Sequence, residues 1–175
     1  MDLKRKYGLT FLGHKQVRSP RRIKAITKVL ETQKLTLFGK NLCRKFKQHE
    51  REIITQKQTN KMFNQSKVCI NFPFYDSTQE CLRILNAPND RFFEIPGSGG
   101  IQLTAWSKYL ETYYEPDKEC FYYKNDEEMV DKASWLVKNS DKLNKVRHAA
   151  LKRSLSEHTY RNRMKTIIKT VKERL

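Results

Sequence analysis

The sequence predicts a single α/β domain of the Rossmann-like type, in which helices flank a parallel sheet and long helices form the C-terminal end. Three observations support this fold class. The length of 175 residues fits one domain, short β-prone runs alternate with helical patterns, and the first strand–helix–strand unit takes about 30 residues, the usual size of a βαβ unit. We expect residues 1–140 to form the Rossmann-like domain and residues 141–175 to form a helical extension that packs on it.

The first βαβ unit lies at the N-terminal end. Residues 8–13 (GLTFLG) are β-prone and end on a glycine, which predicts the first strand. Ser19-Pro20 offers an N-cap followed by proline at the first helical position, and apolar residues follow at helical spacing, so a helix is predicted over 20–32. Residues 35–38 (LTLF) predict the second strand.

The middle of the chain alternates in the same way. Residues 40–66 are polar and basic and predict a loop with one or two short helices. The apolar run 67–72 (KVCINF) predicts a strand that is buried on both faces. A capping-box pattern predicts a helix over 78–85. A shorter helix over 89–95 and a strand over 101–104 follow.

The last third predicts a helix over 106–113, a strand over 120–123, and a helix that Asn125 caps and that ends near residue 139. The chain is expected to be helical from residue 141 onward. An apolar stripe with helical spacing is formed there by Met164, Ile167, Ile168, Val171 and Leu175. Such a stripe packs against protein more often than against a membrane, so we expect packing, and a membrane anchor is the alternative.

The net charge of +17 is concentrated at the two ends of the chain. Residues 1–67 have 18 basic and 4 acidic side chains (+14), residues 68–135 have 6 and 12 (−6), and residues 136–175 have 12 and 3 (+9). A basic protein attracts nucleic acid, anionic lipid or a phosphorylated ligand. Most aromatic residues lie in the acidic middle, which disfavours a nucleic-acid surface with aromatic platforms. A solvated, lysine-rich surface is the simpler explanation of the charge.

Targeting and metal-binding patterns are also informative. No stretch approaches the roughly 20 apolar residues of a membrane span, and the N-terminal apolar run is too short for a signal peptide. We expect a cytoplasmic protein, with peripheral contact to the membrane as an open alternative.

The four cysteines are scattered, so we expect buried reduced thiols, no metal and no cofactor; they are Cys43, Cys69, Cys81 and Cys120.

One segment combines groups that suit a phosphorylated ligand. In an open parallel sheet, ligands bind beyond the carboxyl ends of the strands. Residues 89–100 (NDRFFEIPGSGG) offer a carboxylate for a ribose diol, an arginine for phosphate, and glycines that allow close backbone approach. Two simpler explanations remain open: Arg91 pairs with Asp90 or Glu94, and residues 96–100 form only a turn between a helix and a strand.

The runs RFFEIPGSGGIQLT, LETYYEPDKECFYYKNDEEMVDKASWLVKN and SEHTYRNRM resemble, in order and spacing, the C-terminal domain of spore-maturation-type (CgeB-like) glycosyltransferases. A weaker likeness in YGLTFLGH and KLTLFG extends the resemblance over most of the chain. That family belongs to the GT-B superfamily of retaining, nucleotide-sugar-dependent enzymes. The resemblance implies the C-terminal half of a GT-B fold that binds a nucleoside diphosphate sugar and needs no metal ion for the first step.

The resemblance also implies roles for particular residues. Glu94 corresponds to the carboxylate that binds the nucleotide ribose, and Arg91 and Gly97 correspond to a family arginine and glycine. Gly99 and Gly100 are expected close to the sugar-phosphate. Gly13 ends the first strand, where related enzymes place basic residues on the pyrophosphate, and the local candidates are His14, Lys15, Arg18 and Arg22. His158 is expected to support packing.

Two departures from the family pattern limit these implications. Asn86 stands where many retaining GT-B enzymes have a second carboxylate, eight positions before Glu94, which puts the usual sugar contact in doubt. The acceptor-binding domain has no counterpart in this sequence, so activity of the chain alone would be unexpected. We therefore expect a donor-binding domain whose other half comes from a separate chain or a longer protein. The alternatives are a basic module for nucleic acid or anionic membrane, and a degenerate relative without catalysis.

Overall fold

One parallel sheet is the centre of the computed structural model, which describes residues 3–13, 19–39, 44–51, 55–72 and 88–174. Its strands within these ranges are β1 (Tyr7–Leu12), β2 (Leu35–Phe38), β3 (Glu50–Arg51), β4 (Ser66–Asn71), β5 (Gln102–Ala105) and β6 (Phe121–Tyr123). Their order across the sheet is β3-β2-β1-β4-β5-β6, and each neighbouring pair is parallel. This topology confirms the predicted fold class.

The helices flank the sheet. Those in the described ranges are α1 (Pro20–Thr32), α2 (Gln56–Gln65), α3 (Asp90–Gly97), α4 (Asp126–Asn139), α5 (Asn144–Glu157) and α6 (Tyr160–Lys172). Short 3₁₀ helices cover Arg44–His49, Leu110–Thr112 and Ser140–Leu143. In the described ranges, none of the helices combines the length and the apolar character that crossing a bilayer requires.

Two of the apolar cores lie on opposite faces of the sheet. The first core joins the sheet to α1 and α4, whose buried members are Ala25, Ile26, Val29, Met129, Ala133 and Leu136. The second joins it to α2 and α3 through Met62, Phe63 and Ile95. Successive residues of a strand point to opposite faces, and accordingly Val68 and Ile70 belong to the first core while Cys69 belongs to the second. The helices α1 and α3 therefore lie on different faces.

Most elements begin and end close to their predicted limits. α1 and β2 match the predicted ranges, and β1, β4, β5 and β6 differ from them by one residue. α4 begins after its predicted cap, because Asn125 accepts a hydrogen bond from the backbone N–H of Glu128 at 2.8 Å, and it ends at the predicted residue, Asn139. The helix predicted over 78–85 lies outside the described residues.

Residues 40–66 contain more regular structure than the sequence predicted. The described part of this stretch includes β3 and the ten-residue helix α2. A reciprocal capping box starts α2: the Thr55 N–H donates to Gln58 Oε1 at 2.9 Å, and the Gln58 N–H donates to Thr55 Oγ1 at 3.2 Å. Burial of Met62 and Phe63 in the second core then stabilises a helix whose composition is otherwise polar.

The helix predicted over 106–113 is wrong, because only the 3₁₀ helix Leu110–Thr112 forms there. The Trp106 N–H donates to the Tyr123 carbonyl at 2.7 Å, which continues the pairing of β5 with β6 and holds this residue extended. Ser107 Oγ then accepts from the Leu110 N–H at 3.2 Å and closes a short turn. Local side-chain hydrogen bonds of this kind compete with α-helix formation.

The two C-terminal helices differ in how they pack. α5 lies against α3, and it buries Arg147, Ala150 and Ser154. α6 buries none of its side chains. The described residues of its apolar stripe, Met164, Ile167, Ile168 and Val171, are about half exposed in this chain, and the expectation that the stripe packs against protein stays a prediction.

Candidate functional site

The carboxyl ends of β1 and β4 form a switch point in the sheet. These two strands are neighbours, with Leu9 opposite Val68. α1 follows β1 on one face, and α3, the next described helix after β4, lies on the other face. Connections that leave adjacent parallel strands toward opposite faces open a crevice between them, and ligands of such sheets bind there.

Gly13 and the start of α1 form one side of this crevice. Gly13 is buried, and its N–H donates to the Phe38 carbonyl at 2.9 Å. Ser19 caps α1 by accepting from the Arg22 N–H at 3.3 Å, and Pro20 occupies the first turn. That turn contains no acidic residue, so the partial positive charge of the helix N-terminus is not neutralised locally. This side of the crevice favours an anion.

Asn71 and Asn89 form the other side. The Asn71 amide nitrogen donates to Asn89 Oδ1, and the Asn89 amide nitrogen donates to Asn71 Oδ1, both at 3.0 Å. Asn89 Oδ1 also accepts from the Phe92 N–H at 3.1 Å and so caps α3. The pair fixes the N-terminus of α3 to the carboxyl end of β4.

Arg91 lies in the first turn of α3 and is half-buried. Burial lowers the pKa of Arg91, and the nearby Arg22 guanidinium adds to this effect, whereas the nearby carboxylates of Glu94 and Asp90 oppose it. Among the described residues, Arg91 Nε is buried without a hydrogen-bond partner, and Arg91 makes no ion pair with Asp90 or Glu94. The structural pairing considered from the sequence is therefore not observed. A partly buried cation beside a second cation suits an anionic ligand.

Glu94 is one turn further along α3. It lines a groove of about 480 Å³ whose other walls are the start of α2 and the turn between α5 and α6; among the lining residues are Gln56, Asn60, Asn89, Gly97, His158 and Arg163. Gln56 Nε2 lies 3.5 Å from Glu94 Oε1, at the limit of a hydrogen bond, and is 2.9 Å from Asn60 Oδ1. The carboxylate is thus accessible and close to amide groups.

The three glycines of the segment lie at the opposite end of α3. Gly97 faces α5, where an added Cβ would be 3.8 Å from the Ser154 Cβ. Gly99 has a φ of +71° and closes the helix, and the Gly100 N–H donates to the Ile95 carbonyl at 2.8 Å. Buried Arg147 donates from Nε to the Gly99 carbonyl. This packing accounts for Gly99 and Gly100 without a ligand, and of the three only Gly97 lines the groove.

His158 packs between the C-terminal helices and the body of the domain, as predicted. Its Nε2 lies 3.0 Å from the Tyr113 carbonyl, and its ring contacts those of Phe93, Tyr113 and Tyr114 at centroid distances of 5.0–5.7 Å. The guanidinium of Arg163 lies 4.1 Å from the centroid of the Phe93 ring. These contacts fix the wall of the groove that faces Glu94.

Of the remaining sequence-predicted residues, His14 and Arg18 lie outside the described ranges, as do Lys15 and Asn86. The structure thus brings Gly13, Arg22, Arg91 and Glu94 to the carboxyl edge of the sheet, although Gly13 and Arg22 are on the α1 side. Asn71, Asn89 and Gln56 were missed. Asn89 had a detectable signal, since Asn is a preferred N-cap residue, whereas the Asn71–Asn89 contact joins two separate elements.

The charged groups of the site determine which ligands it can hold. Two arginines and a helix N-terminus supply positive charge at the switch point, and a carboxylate lies one helical turn away. Cations at such a crevice bind phosphate groups, and an accessible carboxylate accepts hydrogen bonds from a vicinal diol. The site can therefore hold a ligand that has an anionic group and hydroxyl groups close together.

Comparisons with known proteins agree with this fold. The sequence model of one family, described as glycosyl transferase-like, matches residues 18–169. No curated protein matches the chain. The C-terminal domain of the glycosyl transferase group 1 family protein LpcC from Francisella tularensis has a TM-score of 0.62 and 12% identity, with 90% of this chain and 89% of that chain covered.

Two further solved structures share the fold. TarM from S. aureus, a mutant in complex with fondaparinux, α-GlcNAc-glycerol and UDP, has a TM-score of 0.68 and 11% identity, with 97% of this chain and 36% of that chain covered. The catalytic domain of cholesterol-α-glucosyltransferase from Helicobacter pylori has a TM-score of 0.57 and 10% identity, with 85% and 98% covered. The chain thus spans about a third of the length of TarM.

Proposed function

The chain belongs to the glycosyl transferase-like family, and from this membership we propose that it is the donor-binding domain of a retaining GT-B-type glycosyltransferase. Its ligand is a nucleoside diphosphate sugar that lies at the switch point of the sheet. The relationship to LpcC and TarM supports the fold of such a domain. The substrate assignment rests on the residues of the crevice.

The observation that carries the proposal is the placement of Arg91 and Glu94 one turn apart at the start of α3. In the proposed complex, Arg91 and Arg22 bind the diphosphate, and Glu94 accepts hydrogen bonds from the ribose hydroxyls. Charge that develops on the leaving diphosphate is stabilised by the same arginines and by the N-termini of α1 and α3. That UDP is bound in the TarM structure supports a ligand of this class.

We further propose that a second Rossmann-like domain completes the active enzyme. The chain covers 89% of an isolated C-terminal domain but only 36% of TarM. The acceptor would then be bound by a domain that another chain or a longer protein supplies.

The test is a thermal-shift and calorimetric comparison of UDP, GDP, ADP and CMP with the matching nucleotide sugars. A ligand at 100 times its Kd adds about 2.7 kcal/mol to the free energy of unfolding, and a domain of this size gains about 2–4 °C in Tm per kcal/mol. One nucleoside diphosphate should therefore raise the Tm by several degrees.

Glu94→Gln should weaken the ribonucleotide and leave the 2′-deoxyribonucleotide almost unchanged, because the carboxylate serves the ribose hydroxyls. Asp131→Asn, which alters an exposed carboxylate on α4, is the matched control and should bind like the wild type. If no nucleotide raises the Tm at low salt, the donor-binding proposal fails. If Asp131→Asn loses as much affinity as Glu94→Gln, the role of Glu94 is contradicted.

A further inference from the structure

A second pocket lies at the amino ends of β1 and β2, at the opposite edge of the sheet from the switch point. It has a volume of about 490 Å³, and the described residues that line it are Lys6, Tyr7, Gly8, Leu9, Gln33, Lys34, Thr36, Arg51 and Val137. β1 runs from this pocket to the crevice over six residues, or about 20 Å. A ligand of this pocket would therefore occupy a different site from the one beside Arg91 and Glu94.

Three cationic side chains from separate parts of the chain line the pocket. Lys6 precedes β1, Lys34 lies between α1 and β2, and Arg51 ends β3. All three are exposed, so a ligand can reach them. In the part of the chain that the structure describes, none of them forms an ion pair and none of the lining residues is acidic. A concave site lined by one sign of charge concentrates ligands of the opposite sign.

The backbone around two of these cations is ordered. The Lys6 N–H donates to the Gln65 carbonyl at 2.8 Å. The Arg51 carbonyl accepts from the Gly39 N–H at 2.9 Å, and the Arg51 guanidinium lies 5.9 Å from the centroid of the Tyr7 ring. A ligand that binds here does not have to order the backbone first, which lowers the entropic cost of binding.

Neutral groups in the pocket complement the cations. Thr36 offers a hydroxyl group, Gln33 an amide and Tyr7 an aromatic ring, and all three residues are half-buried. Gln33 Nε2 donates to the Val130 carbonyl at 3.4 Å, which orients the amide. Hydroxyl and amide groups beside cations bind the oxygens of a phosphate and neighbouring hydroxyl groups. The volume lies within the range of about 300–1,000 Å³ that is usual for small-molecule sites.

We propose that this pocket binds a phosphomonoester through Lys6, Lys34 and Arg51, at a site separate from the donor site. A phosphomonoester has a charge of about −1.5 to −2 at neutral pH and three acceptor oxygens, which match several converging cations. The phosphate belongs to a soluble compound or to a lipid headgroup, because both present the same chemical group. This site goes beyond the proposed donor-binding function and does not depend on it.

The first experiment is a titration of the isotope-labelled full chain with glycerol 3-phosphate, followed by two-dimensional amide NMR spectra. The signals of Gly8 and Thr36 should shift saturably. Lys34→Gln combined with Arg51→Gln should raise the Kd by about tenfold, because two charged contacts are lost.

Two further variants distinguish a pocket from a diffuse positive surface. Lys145→Gln combined with Lys152→Gln removes the same charge from exposed positions on α5, and it should leave the Kd within about twofold of the wild type. Gly8→Val leaves the net charge unchanged. An added Cβ at Gly8 would be 3.9 Å from Val137 Cγ1, so the larger side chain takes up space in the pocket and should weaken binding. Circular dichroism of all variants checks that the fold is retained.

The second experiment is co-sedimentation with phosphatidylcholine vesicles that contain phosphatidic acid. Saturable binding of glycerol 3-phosphate assigns the pocket to a soluble phosphomonoester. Binding to the vesicles alone, lost in the Lys34 and Arg51 variant and retained in the α5 control, assigns it to a lipid headgroup. Arg91→Met should change neither result.

Three results would overturn the proposal. The first is that neither glycerol 3-phosphate nor the vesicles bind at low salt. The second is that the α5 control loses as much affinity as the Lys34 and Arg51 variant, which indicates general electrostatic attraction. The third is that the Lys34 and Arg51 variant loses stability but keeps its affinity, which shows that the cations serve the C-terminus of α1 instead of a ligand.

Discussion

The side-chain amides of Asn71 and Asn89 exchange two hydrogen bonds of 3.0 Å. Asn71 is 1% exposed and ends β4, whereas Asn89 caps α3. The two residues are 18 positions apart, so the pair sets the start of α3 relative to the sheet. The contact thereby also sets the positions of Arg91, in the first turn of α3, and of Glu94, one turn further along.

Asn89→Ala should lower the free energy of unfolding by about 2–4 kcal/mol, measured by urea denaturation. Loss of an N-cap costs about 1 kcal/mol, and the buried amide of Asn71 loses its partner, which costs about 1–3 kcal/mol more when no water replaces it. Asn125→Ala is the matched control, because Asn125 caps α4 and is exposed. Equal losses in the two variants would show that the Asn71–Asn89 pair adds nothing beyond a cap.

Gly99→Ala and Gly97→Ala should change stability in opposite directions. Gly99 has a φ of +71°, and an added Cβ would be 3.1 Å from Asn64 Nδ2, so alanine should cost about 1–2 kcal/mol. Gly97 has room for a Cβ, and alanine inside a helix gains about 0.5–1 kcal/mol. Nucleotide affinity should be retained in Gly99→Ala. If Gly99→Ala unfolds like the wild type but no longer binds nucleotide, Gly99 belongs to the ligand site.

Arg91→Met should weaken nucleotide binding without lowering the free energy of unfolding. Burial lowers the pKa of Arg91, which means that its charged form is disfavoured in the fold, and an apolar side chain of similar length removes this cost. The free energy of unfolding should stay equal or rise. Affinity for a nucleoside diphosphate should fall by about 10–100-fold, which corresponds to about 1.5–3 kcal/mol for a charged hydrogen bond.

The readout for Arg91→Met is titration calorimetry with a nucleoside diphosphate and with the corresponding nucleoside. The nucleoside lacks the diphosphate, so its affinity should not change. Parallel losses for both ligands would exclude a phosphate role for Arg91. Arg91→Lys should recover part of the diphosphate affinity because it restores a cation without the planar guanidinium.

The buried thiols predict a loss of stability in alkali. Burial raises the pKa of Cys69 from 9.0 to about 11 and that of Cys120 from 9.0 to about 12. Below pH 9 such a thiol is protonated in both the folded and the unfolded state, so its full contribution to the free energy of unfolding is present. Above pH 9 the unfolded thiol ionises first, so stability falls up to the pKa of the folded state.

Each such thiol contributes a slope of about −1.4 kcal/mol per pH unit in this window. Urea denaturation between pH 8 and 11 should therefore show a shallower slope for Cys69→Ala than for the wild type, although the variant is less stable at pH 8. A thiol reagent should react with Cys69 and Cys120 only as the protein unfolds. Identical slopes for wild type and Cys69→Ala would contradict the burial argument.

The parts of the fold that local signals specify were predictable from the sequence. α1 has its predicted limits because Ser19 and Pro20 mark its start and apolar residues recur at helical spacing. α2 was not placed, although Thr55-x-x-Gln58 forms a capping box, because the residues between 40 and 66 are mostly polar. β3 has only two residues, too few for a pattern. The error at 106–113 arose because pairing of Trp106 with β6 depends on a distant strand.

Only the part of the candidate site that lies within the segment 89–100 was predictable from the sequence. Arg91 and Glu94 were identified because they share a short run with glycines, and they lie one turn apart on α3, where Glu94 lines the groove and Arg91 does not. The glycines of that run lie at the far end of α3, because a helix of eight residues separates its ends by about 12 Å. The groove beside Glu94 needs α2, α5 and α6 together, and no local pattern specifies how such separate elements meet.

The pairing of β1 with β4 also constrains the order of events during synthesis. Tyr7 pairs with Ser66, and Leu9 with Val68, so the central ladder joins residues about 59 positions apart. At a synthesis rate of about 5–20 residues per second, β4 leaves the ribosome roughly 3–12 s after β1. During this time the emerging segment, residues 1–67, has a net charge of +14. Mutual repulsion between such nascent segments opposes their aggregation until β4 arrives.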